Sequence, residues 1–384
     1  MPGRFTIISS SFRRSIHKVP LRSHIQSVNA KSIIKINENQ FNKVSLYDYH
    51  FFEELLPLEP VISYSLSKWL WFNYQLKHFP SFDLNIINVF TDLSQSVEMI
   101  HSIMKHFYTT LPRDLFQKIN ILLIPFYNCG HTKVTYQKVA VKNIPGNVQL
   151  LDNMSFCSIF DERPNTDNWE SRLRSKLYMQ EPTYFLLLND IFKNSSHDLL
   201  RYSKDTDSWK QCFVMENTQG QIHKSFEQDI DFWCAKYIEI AFKENTPNSG
   251  EVYIPTQLLQ FFHAMKVCFP DFKFLAIDTP QRWKPSLFNI LKVSTGQMPI
   301  QTSKIVQQMP NSYGRCTFIT EFMQLKAVCQ KLNPGLIFEV QDLNEFVGDW
   351  IDYTKPNPYD TQSLHDPKQQ VHLINKSSLA VLHN

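Results

Sequence analysis

The sequence predicts an α/β fold with a mostly parallel central sheet and flanking helices, plus inserted strand and helix segments. Apolar runs of strand length alternate with segments of helical periodicity from residue 84 to residue 350, which is the pattern of a parallel sheet covered by helices. Several runs lack polar alternation, as expected for strands that are buried on both faces. Among the 384 residues, 43% are hydrophobic and 20% are charged, so the chain can bury a substantial core.

The predicted elements follow one another along the chain. Residues 38–80 are expected to be helical because Leu66, Trp69 and Leu70 recur at helical spacing. A strand at 84–90 precedes a helix at 93–111 whose apolar residues form one stripe. Further strands are predicted at 118–126, 147–156, 182–192, 209–216 and 271–279, and further helices at 228–244 and 256–269. A short strand followed by a helix is predicted twice more, within 317–333 and 335–350.

The two ends of the chain are predicted to lie outside the folded domain. The first 37 residues contain no Asp or Glu but seven Lys or Arg residues, which is typical of a mitochondrial transit peptide. We therefore assign residues 1–30 to a transit peptide, with a basic disordered tail as the alternative, and residues 38–353 to the α/β domain. The polar residues 354–384 are expected to form a flexible tail. The import signal predicts a location in the mitochondrial matrix.

The composition argues against several classes of protein. The net charge of +3 is too small to indicate DNA binding, and no apolar stretch has the length of a transmembrane helix. The seven cysteines include no CxxC pair, which favours scattered thiols in a reducing compartment over a disulfide framework. We find no phosphate loop, HExxH motif, calcium loop or convincing Ser/His/Asp or Cys/His arrangement. No catalytic or metal-binding residue is therefore assigned.

The joint after the strand at 84–90 is the first candidate ligand site, because ligands of such folds lie at the carboxyl ends of the strands. A nucleotide-type cofactor loop needs glycines for positive φ and for close approach of the ligand to the backbone. The stretch VFTDLSQS contains none, and no glycine occurs between Gly3 and Gly130. From these residues alone, an ordinary turn in which Asp92 or Ser94 caps the next helix is the favoured interpretation.

Two further joints carry informative residues. Cofactor folds of this type usually place an acid at the end of the second strand, to bind ribose hydroxyls. This chain has Pro125, Phe126 and Tyr127 there instead. Asn189 and Asp190 stand where a later apolar run stops, so they are candidates for a substrate site, or for a turn in which they bond the local backbone.

With these segments in order, the chain resembles the MidA-type S-adenosylmethionine-dependent methyltransferases, most closely a divergent fungal mitochondrial branch. The stretch EPVISYSLSKWLWF is similar to the Ser-Pro-Glu-Ile-Ser segment and tryptophan-bearing helix of the family, with Pro60, Ile62 and Ser63 kept. EVYIPTQLLQFFHAMKVCFPDFKFLAIDT is similar to the segment in which a helix and a proline precede a strand. The resemblance covers residues 58–350.

The departures from the family fall first on its cofactor contacts. In IINVFTDLSQSVEMI, Asn88 stands at the place of the family's acid, and Phe90, Asp92 and Ser94 stand at the places of its glycines. Pro125 corresponds to the second-strand glutamate. The resemblance therefore implies a cofactor loop that has been replaced.

The segment NDIFKN departs from the family at its substrate contacts. It resembles the family's Asn-Glu-Xaa-Phe-Asp-Ala motif, with Asn189 and Phe192 kept. Asp190 is a shortened acid, and Lys193 stands where the family has aspartate.

The resemblance implies a Rossmann-like methyltransferase fold and a link to respiratory complex I, whose assembly the family's mitochondrial members assist by arginine methylation. With its cofactor contacts replaced, we expect this protein to hold no cofactor. It would act as a binding or assembly factor in respiratory-chain biogenesis and respiratory growth. Asn88, Asp92 and Ser94 would then be vestigial cofactor contacts. The expected partner is a mitochondrial protein, such as a respiratory-complex subunit.

The alternative is an active S-adenosylmethionine-dependent protein arginine methyltransferase with a rebuilt cofactor site. Asn88 and Asp92 would then contact S-adenosylmethionine, and Asn189 and Asp190 would bind a cationic substrate by charge-assisted hydrogen bonds. A third and weaker hypothesis is nucleic-acid or mitoribosome binding through KWLWFNYQLKHF, although its spacing suits a packed helix better.

Overall fold

The computed structural model describes residues 18–41, 59–91, 93–127, 141–151, 155–159, 168–188, 191–216, 222–243, 250–278, 304–306, 316–319, 321–350 and 379–384. No helix within these ranges is both long and apolar enough to cross a bilayer. The six cysteines that they include, all but Cys129, are free thiols.

A seven-stranded sheet forms the centre of the protein. Its strands are β2 (Leu84–Phe90), β3 (Ile119–Pro125), β4 (Asn147–Leu150), β5 (Thr183–Leu187), β10 (Phe272–Asp278), β13 (Glu339–Asp342) and β14 (Ala380–His383). They lie in the order β13-β14-β10-β5-β2-β3-β4. The five strands from β10 to β4 are parallel, whereas β14 runs antiparallel to both of its neighbours. The predicted mostly parallel sheet is confirmed.

Helices cover both faces of this sheet, which explains the continuous apolar runs of its strands. One face carries α2 (Glu59–Lys77), α3 (Leu93–Thr110), α4 (Arg113–Phe116) and α11 (Leu343–Trp350). The other carries α5 (Phe156–Ile159), α6 (Trp169–Lys176), α7 (Ile191–Asn194), α8 (Phe232–Ala241), α9 (Thr256–Cys268) and α10 (Phe322–Leu332). In β2, Ile86 and Phe90 therefore pack with the first group and Ile87 and Val89 with the second.

A second, antiparallel sheet combines four strands inserted between β5 and β10 with one strand from the start of the chain. It contains β1 (Lys18–Pro20), β6 (Asp198–Ser203), β7 (Ser208–Glu216), β8 (Ile222–Glu227) and β9 (Gly250–Ile254). β8 pairs with one edge of β7, while β6 and β1 lie end to end along its other edge. Helix α1 (Leu21–Phe41) follows β1, and β11 (Lys304–Val306) pairs with β12 (Thr317–Ile319) in a separate ribbon.

The predicted order of elements agrees with the structure wherever the structure describes it. β2 has the predicted bounds, and α3, β7, α9 and β10 differ from their predicted bounds by one residue at an end or less. The predicted strands at 147–156 and 182–192 are shorter, because polar or turn residues interrupt the apolar run, and residues 156 and 191–192 belong to helices α5 and α7 instead. β6, β8 and β9 were not predicted, since they are short and partly polar strands of an antiparallel insertion.

The predicted flexible tail at 354–384 is wrong for its last residues. Residues 380–383 form β14, which hydrogen-bonds to β10 on one side and β13 on the other. Val381 and Leu382 are completely buried, one in the core under each face of the sheet. The physical reason is the short run LAVLH, whose apolar residues fill the gap between β10 and β13, two strands from much earlier in the chain.

The predicted exclusion of residues 1–30 from the fold is also wrong for residues 18–30. β1 extends the antiparallel sheet through three residue pairs with β7. In α1, Leu21 and Ile25 are buried against Leu199 and Val214, and Asn29 is completely buried. The expected basic segment before Lys18 lies outside the described residues.

Candidate functional site

The carboxyl ends of the parallel strands meet at one edge of the central sheet, where the sequence predicts the ligand site. The segments that follow β2, β3 and β4 lie side by side there. The amide of Phe126 donates to the carbonyl oxygen of Phe90 at 2.7 Å, and the amide of Cys157 donates to the carbonyl oxygen of Phe126 at 3.0 Å. Backbone hydrogen bonds therefore link Phe126, the first residue after β3, both to the end of β2 and to helix α5.

Aromatic side chains fill this edge. Phe126, Tyr127 and Phe156 are each 2% exposed or less. The ring centroids of Phe126 and Tyr127 are 4.8 Å apart, and those of Phe156 and Phe261 are 4.6 Å apart. Phe90, also 2% exposed, packs toward α2 and α3. Buried apolar side chains thus stand where the family resemblance places a loop glycine and the residues around the ribose acid.

Gln257, in the first turn of α9, connects the Tyr127 segment to the link between α7 and β6. Its Oε1 accepts hydrogen bonds from the Tyr127 hydroxyl at 3.3 Å and from the Ser196 amide, and its Nε2 donates to the Cys157 Sγ at 3.1 Å. The Tyr127 hydroxyl also donates to the carbonyl oxygen of Asn194. The polar atoms of Tyr127 and Gln257 are therefore engaged with the protein itself. Sequence reasoning missed Gln257, because an apolar helix start carries no sign of distant partners.

Asp278, the last residue of β10, fastens helix α7, which is the described part of the NDIFKN segment. Its Oδ2 accepts hydrogen bonds from the amides of Phe192 and Lys193 at 2.9 and 3.2 Å, so it satisfies orphan donors at the start of this short helix. The Lys193 Nζ lies 3.9 Å from the Asp278 Oδ1, and the two side chains are 6% and 2% exposed. The lysine that replaces the family's aspartate is thus buried beside an internal carboxylate.

Among the five predicted site residues, the side chain of Asn88 is the one that the structure positions. It is completely buried in β2, and its Nδ2 donates to the carbonyl oxygen of Leu186 at 3.2 Å. Its Oδ1 has no hydrogen-bond partner within the described ranges. Ser94 belongs to the first turn of α3, and Asp92, Asn189 and Asp190 lie outside the described residues.

A second polar cluster lies under α1, and nothing in the sequence pointed to it. Ligand atoms of Asp198, Asp231 and Cys234 all lie within 4.8 Å of one another, as a metal site would require. However, the Arg22 guanidinium donates to both carboxylates at this place. Burial, and then the neighbouring Asp198 and Asp231, raise the pKa of Cys234 well above its usual range, so this thiol stays protonated. The cation that the cluster holds is a guanidinium.

Comparison with known proteins places most of the chain in one family. Residues 65–333 match the family described as "putative S-adenosyl-L-methionine-dependent methyltransferase". The Saccharomyces cerevisiae protein arginine methyltransferase NDUFAF7 homolog, mitochondrial, is 33% identical over 382 residues, which cover 96% of this chain and 90% of that protein.

Two solved structures from Burkholderia thailandensis are similar to this one. An uncharacterized protein superposes with a TM-score of 0.54 at 11% identity, covering 95% of this chain and 87% of the other. At this identity the similarity concerns the fold alone. A second protein, bound to S-adenosyl-homocysteine, gives a TM-score of 0.48 at 11% identity, covering 84% and 76% of the two chains.

Proposed function

Because the chain belongs to this family of S-adenosylmethionine-dependent methyltransferases, we propose that it is a mitochondrial methyltransferase-like protein with a degenerate cofactor loop. In this proposal it acts as a binding or assembly factor in respiratory-chain biogenesis and respiratory growth, and it holds no cofactor. The observation that carries the proposal is the glycine-free joint after β2, together with the buried aromatic side chains at the carboxyl edge of the sheet.

The joint supports the proposal through its lack of space at the backbone. A cofactor of this kind is held by a chain that lacks side chains at the points of closest approach. Here Phe90, Thr91 and Leu93 are buried in the protein, being 2%, 3% and 1% exposed. The hydroxyl group of Tyr127, which follows the position of the ribose acid, bonds to Asn194 rather than facing a ligand. Phe90, at the place of a loop glycine, and its neighbours Thr91 and Leu93 are therefore packed inside the protein.

The substrate segment supports the proposal through its charge. Methylation of arginine requires a site that accepts a cationic group, and acids do so by charge-assisted hydrogen bonds. Lys193 brings a positive charge to this segment, and Asp278, the carboxylate beside it, also accepts hydrogen bonds from two backbone amides. A cationic substrate would meet like charge at this point, which is unfavourable for catalysis.

The proposed location and partner rest on two observations outside the site. The relative from yeast is named as a mitochondrial protein, and the acid-free, basic start of this chain is typical of an import signal. We therefore propose that the protein acts in the mitochondrial matrix on a protein partner, such as a subunit of a respiratory complex.

Isothermal titration calorimetry of the full chain with S-adenosylmethionine tests the loss of the cofactor. We expect no binding heat up to millimolar cofactor, and no thermal stabilisation. A ligand at 100 times its dissociation constant would add ~2.7 kcal/mol to stability, so the thermal shift is a sensitive second readout. Micromolar binding would overturn the proposal. A cooperative thermal transition of the same sample serves as the control that the protein is folded.

One observation favours the alternative function, an active S-adenosylmethionine-dependent protein arginine methyltransferase with a rebuilt cofactor site. The Oδ1 of Asn88 is a buried acceptor without a donor in the described parts of the chain, and such groups are rare unless a ligand or function explains them. In this alternative, Asn88 and Asp92 contact the cofactor, and Asn189 and Asp190 lie near the acceptor nitrogen.

Complementation of a strain that lacks the protein separates the two functions. Respiratory growth should be restored equally by the natural chain and by Asp92→Ala and Asp190→Ala if the protein acts by binding alone. Loss of growth with both variants, at unchanged protein level, would favour the enzyme. Phe82→Ala, at an exposed position away from the carboxyl edge, is the matched control for expression.

A further inference from the structure

The cluster under α1 is built as a receptor for one guanidinium group. The Nη1 of Arg22 lies 2.5 Å from the Asp198 Oδ2 and 2.7 Å from the Asp231 Oδ2. The backbone amide of Arg22 also donates to the Asp198 Oδ1 at 3.3 Å. Asp198 is completely buried, and the side chains of Arg22 and Asp231 are 14% and 25% exposed. The contacts are therefore shielded from water, unlike those of a surface ion pair.

Neutral donors complete the shell around the two carboxylates. The Thr256 hydroxyl donates to the Asp198 Oδ2 at 2.7 Å. The Gln211 Nε2 donates to the Asp231 Oδ2 at 2.8 Å and, more weakly, to the Asp198 Oδ1 at 3.4 Å. Burial alone would raise the pKa of Asp231, but the charge of Arg22 and the hydrogen bonds that Asp231 accepts, including the one from Gln211, outweigh it, and the pKa lies below its usual value. Asp231 is thus held in its charged form and needs a cation beside it.

The same carboxylates organise the surrounding elements. Asp198 is the first residue of β6, and Asp231 caps the start of α8, where its Oδ1 accepts from the Cys234 amide at 3.0 Å. Thr256 is the first residue of α9. The guanidinium of Arg22 therefore lies where a strand of the second sheet meets two helices that cover the central sheet. Its loss would leave two carboxylates facing each other in a buried space.

Arg22 belongs to an amino-terminal arm, residues 18–31, which is held by backbone pairing and by buried hydrogen bonds along its length. β1 pairs with β7. Farther along α1, the Asn29 Nδ2 donates to the carbonyl oxygens of Asn194 and Cys316 at 3.1 and 2.8 Å, and the amide of Cys316 donates to the Asn29 Oδ1 at 3.0 Å. Because Asn194 ends α7, the arm reaches the candidate functional site.

We propose that Asp198, Asp231, Gln211 and Thr256 form an arginine-binding pocket whose ligand is Arg22 of the chain's own amino-terminal arm. We propose with it that the arm is retained in the working protein, so that removal of an import signal takes place before Lys18. The second part rests on the proposed mitochondrial location, whereas the pocket does not. Cleavage near residue 30 would remove Arg22 and leave the carboxylates of Asp198 and Asp231 without their cation, which is strongly destabilising.

Sequencing of the amino terminus of the protein isolated from mitochondria tests the retention of the arm. We expect a first residue at or before Lys18, whether or not a segment ahead of it has been removed. A first residue beyond Arg22 would overturn the proposal. Recovery of the protein from another compartment would contradict the proposed location, and the pocket would then be judged by the following measurement.

Thermal unfolding of variants of the full chain tests the pocket itself. We expect Arg22→Ala to lower Tm by about 5 °C or more. The control Arg201→Ala removes a half-exposed guanidinium that pairs with Glu251, the side chains being 47% and 46% exposed, and lies 3.7 Å from the Phe226 ring centroid. It should change Tm by less than Arg22→Ala does. Guanidinium chloride at non-denaturing, millimolar concentration should return part of the lost Tm in Arg22→Ala but not in Arg201→Ala, with equal sodium chloride as the salt control.

Two outcomes would contradict the pocket. The first is an equal loss of Tm for Arg22→Ala and Arg201→Ala, because removal of a buried guanidinium should destabilise the protein more than removal of a half-exposed one. The second is a loss of Tm that guanidinium does not reverse, which would assign the effect of Arg22→Ala to packing rather than to recognition of the charge. If Arg22→Ala does not accumulate, Arg22→Lys keeps the charge without the planar fork, and the same guanidinium titration applies.

Discussion

Replacement of Leu382 by alanine tests whether the last strand is part of the core. Leu382 is completely buried in β14, between β10 and β13, and belongs to the cluster under α8, α9 and α10. The change removes roughly three carbon groups at about 0.8 kcal/mol each and leaves a cavity in a site held by strands on both sides. We expect Leu382→Ala to lower the free energy of unfolding by about 3 kcal/mol or more.

Urea unfolding followed by tryptophan fluorescence measures this change. The free energy difference is taken from the shift in midpoint at an unchanged slope. Leu76→Ala is the matched control, because it removes the same groups from an exposed position on α2, where the side chain is 70% exposed. It should change the free energy of unfolding by less than about 0.5 kcal/mol.

A result near zero for Leu382→Ala would refute the reasoning. It would mean that residues 380–383 are not held in the sheet in solution, as the composition of this end of the chain suggests. A changed slope would instead indicate that the variant alters the compactness of one of the two states.

Two further predictions concern particular positions in the fold. Gly146 has φ of +90°, and a Cβ there would lie 2.5 Å from the Met104 Cε and 2.9 Å from the Phe116 Cζ. Gly146→Ala should therefore lower the free energy of unfolding in urea by roughly 1–3 kcal/mol. The control Gly348→Ala, in open space within α11, should be neutral or slightly stabilising, and equal effects of the two changes would contradict the argument. His197 is completely buried, and its ring centroid lies 4.0 Å from that of Phe318. Burial lowers its pKa to about 3, and the hydrogen bond to the Ser195 carbonyl opposes this in part. Because the unfolded chain gains a proton below about pH 6.5 and the folded one does not, stability should fall between pH 6.5 and 3, by about 2 kcal/mol at pH 5 from this residue. His197→Phe should lose less stability than the natural chain on going from pH 7.5 to pH 5, and parallel losses would contradict this.

The sequence by itself determined the order of the central elements. Strands such as β2 and β10 are apolar along their whole length, and α3 carries its apolar residues on one stripe, so that local periodicity predicts both their type and their bounds. The glycine-free joint after β2 was equally visible, because the chemistry of a cofactor loop depends on residues that are adjacent in the chain.

The tertiary structure alone decided the role of the two ends and of the pocket under α1. β14 is too short to be recognised by pattern, and it is a strand because β10 and β13 supply both of its hydrogen-bonding edges. Arg22 lies in a segment whose composition is typical of an import signal, yet its partners Asp198 and Asp231 lie 176 and 209 residues away in the chain. Contacts over such separations leave no local periodicity, so they become visible only when the folded chain brings the charges together.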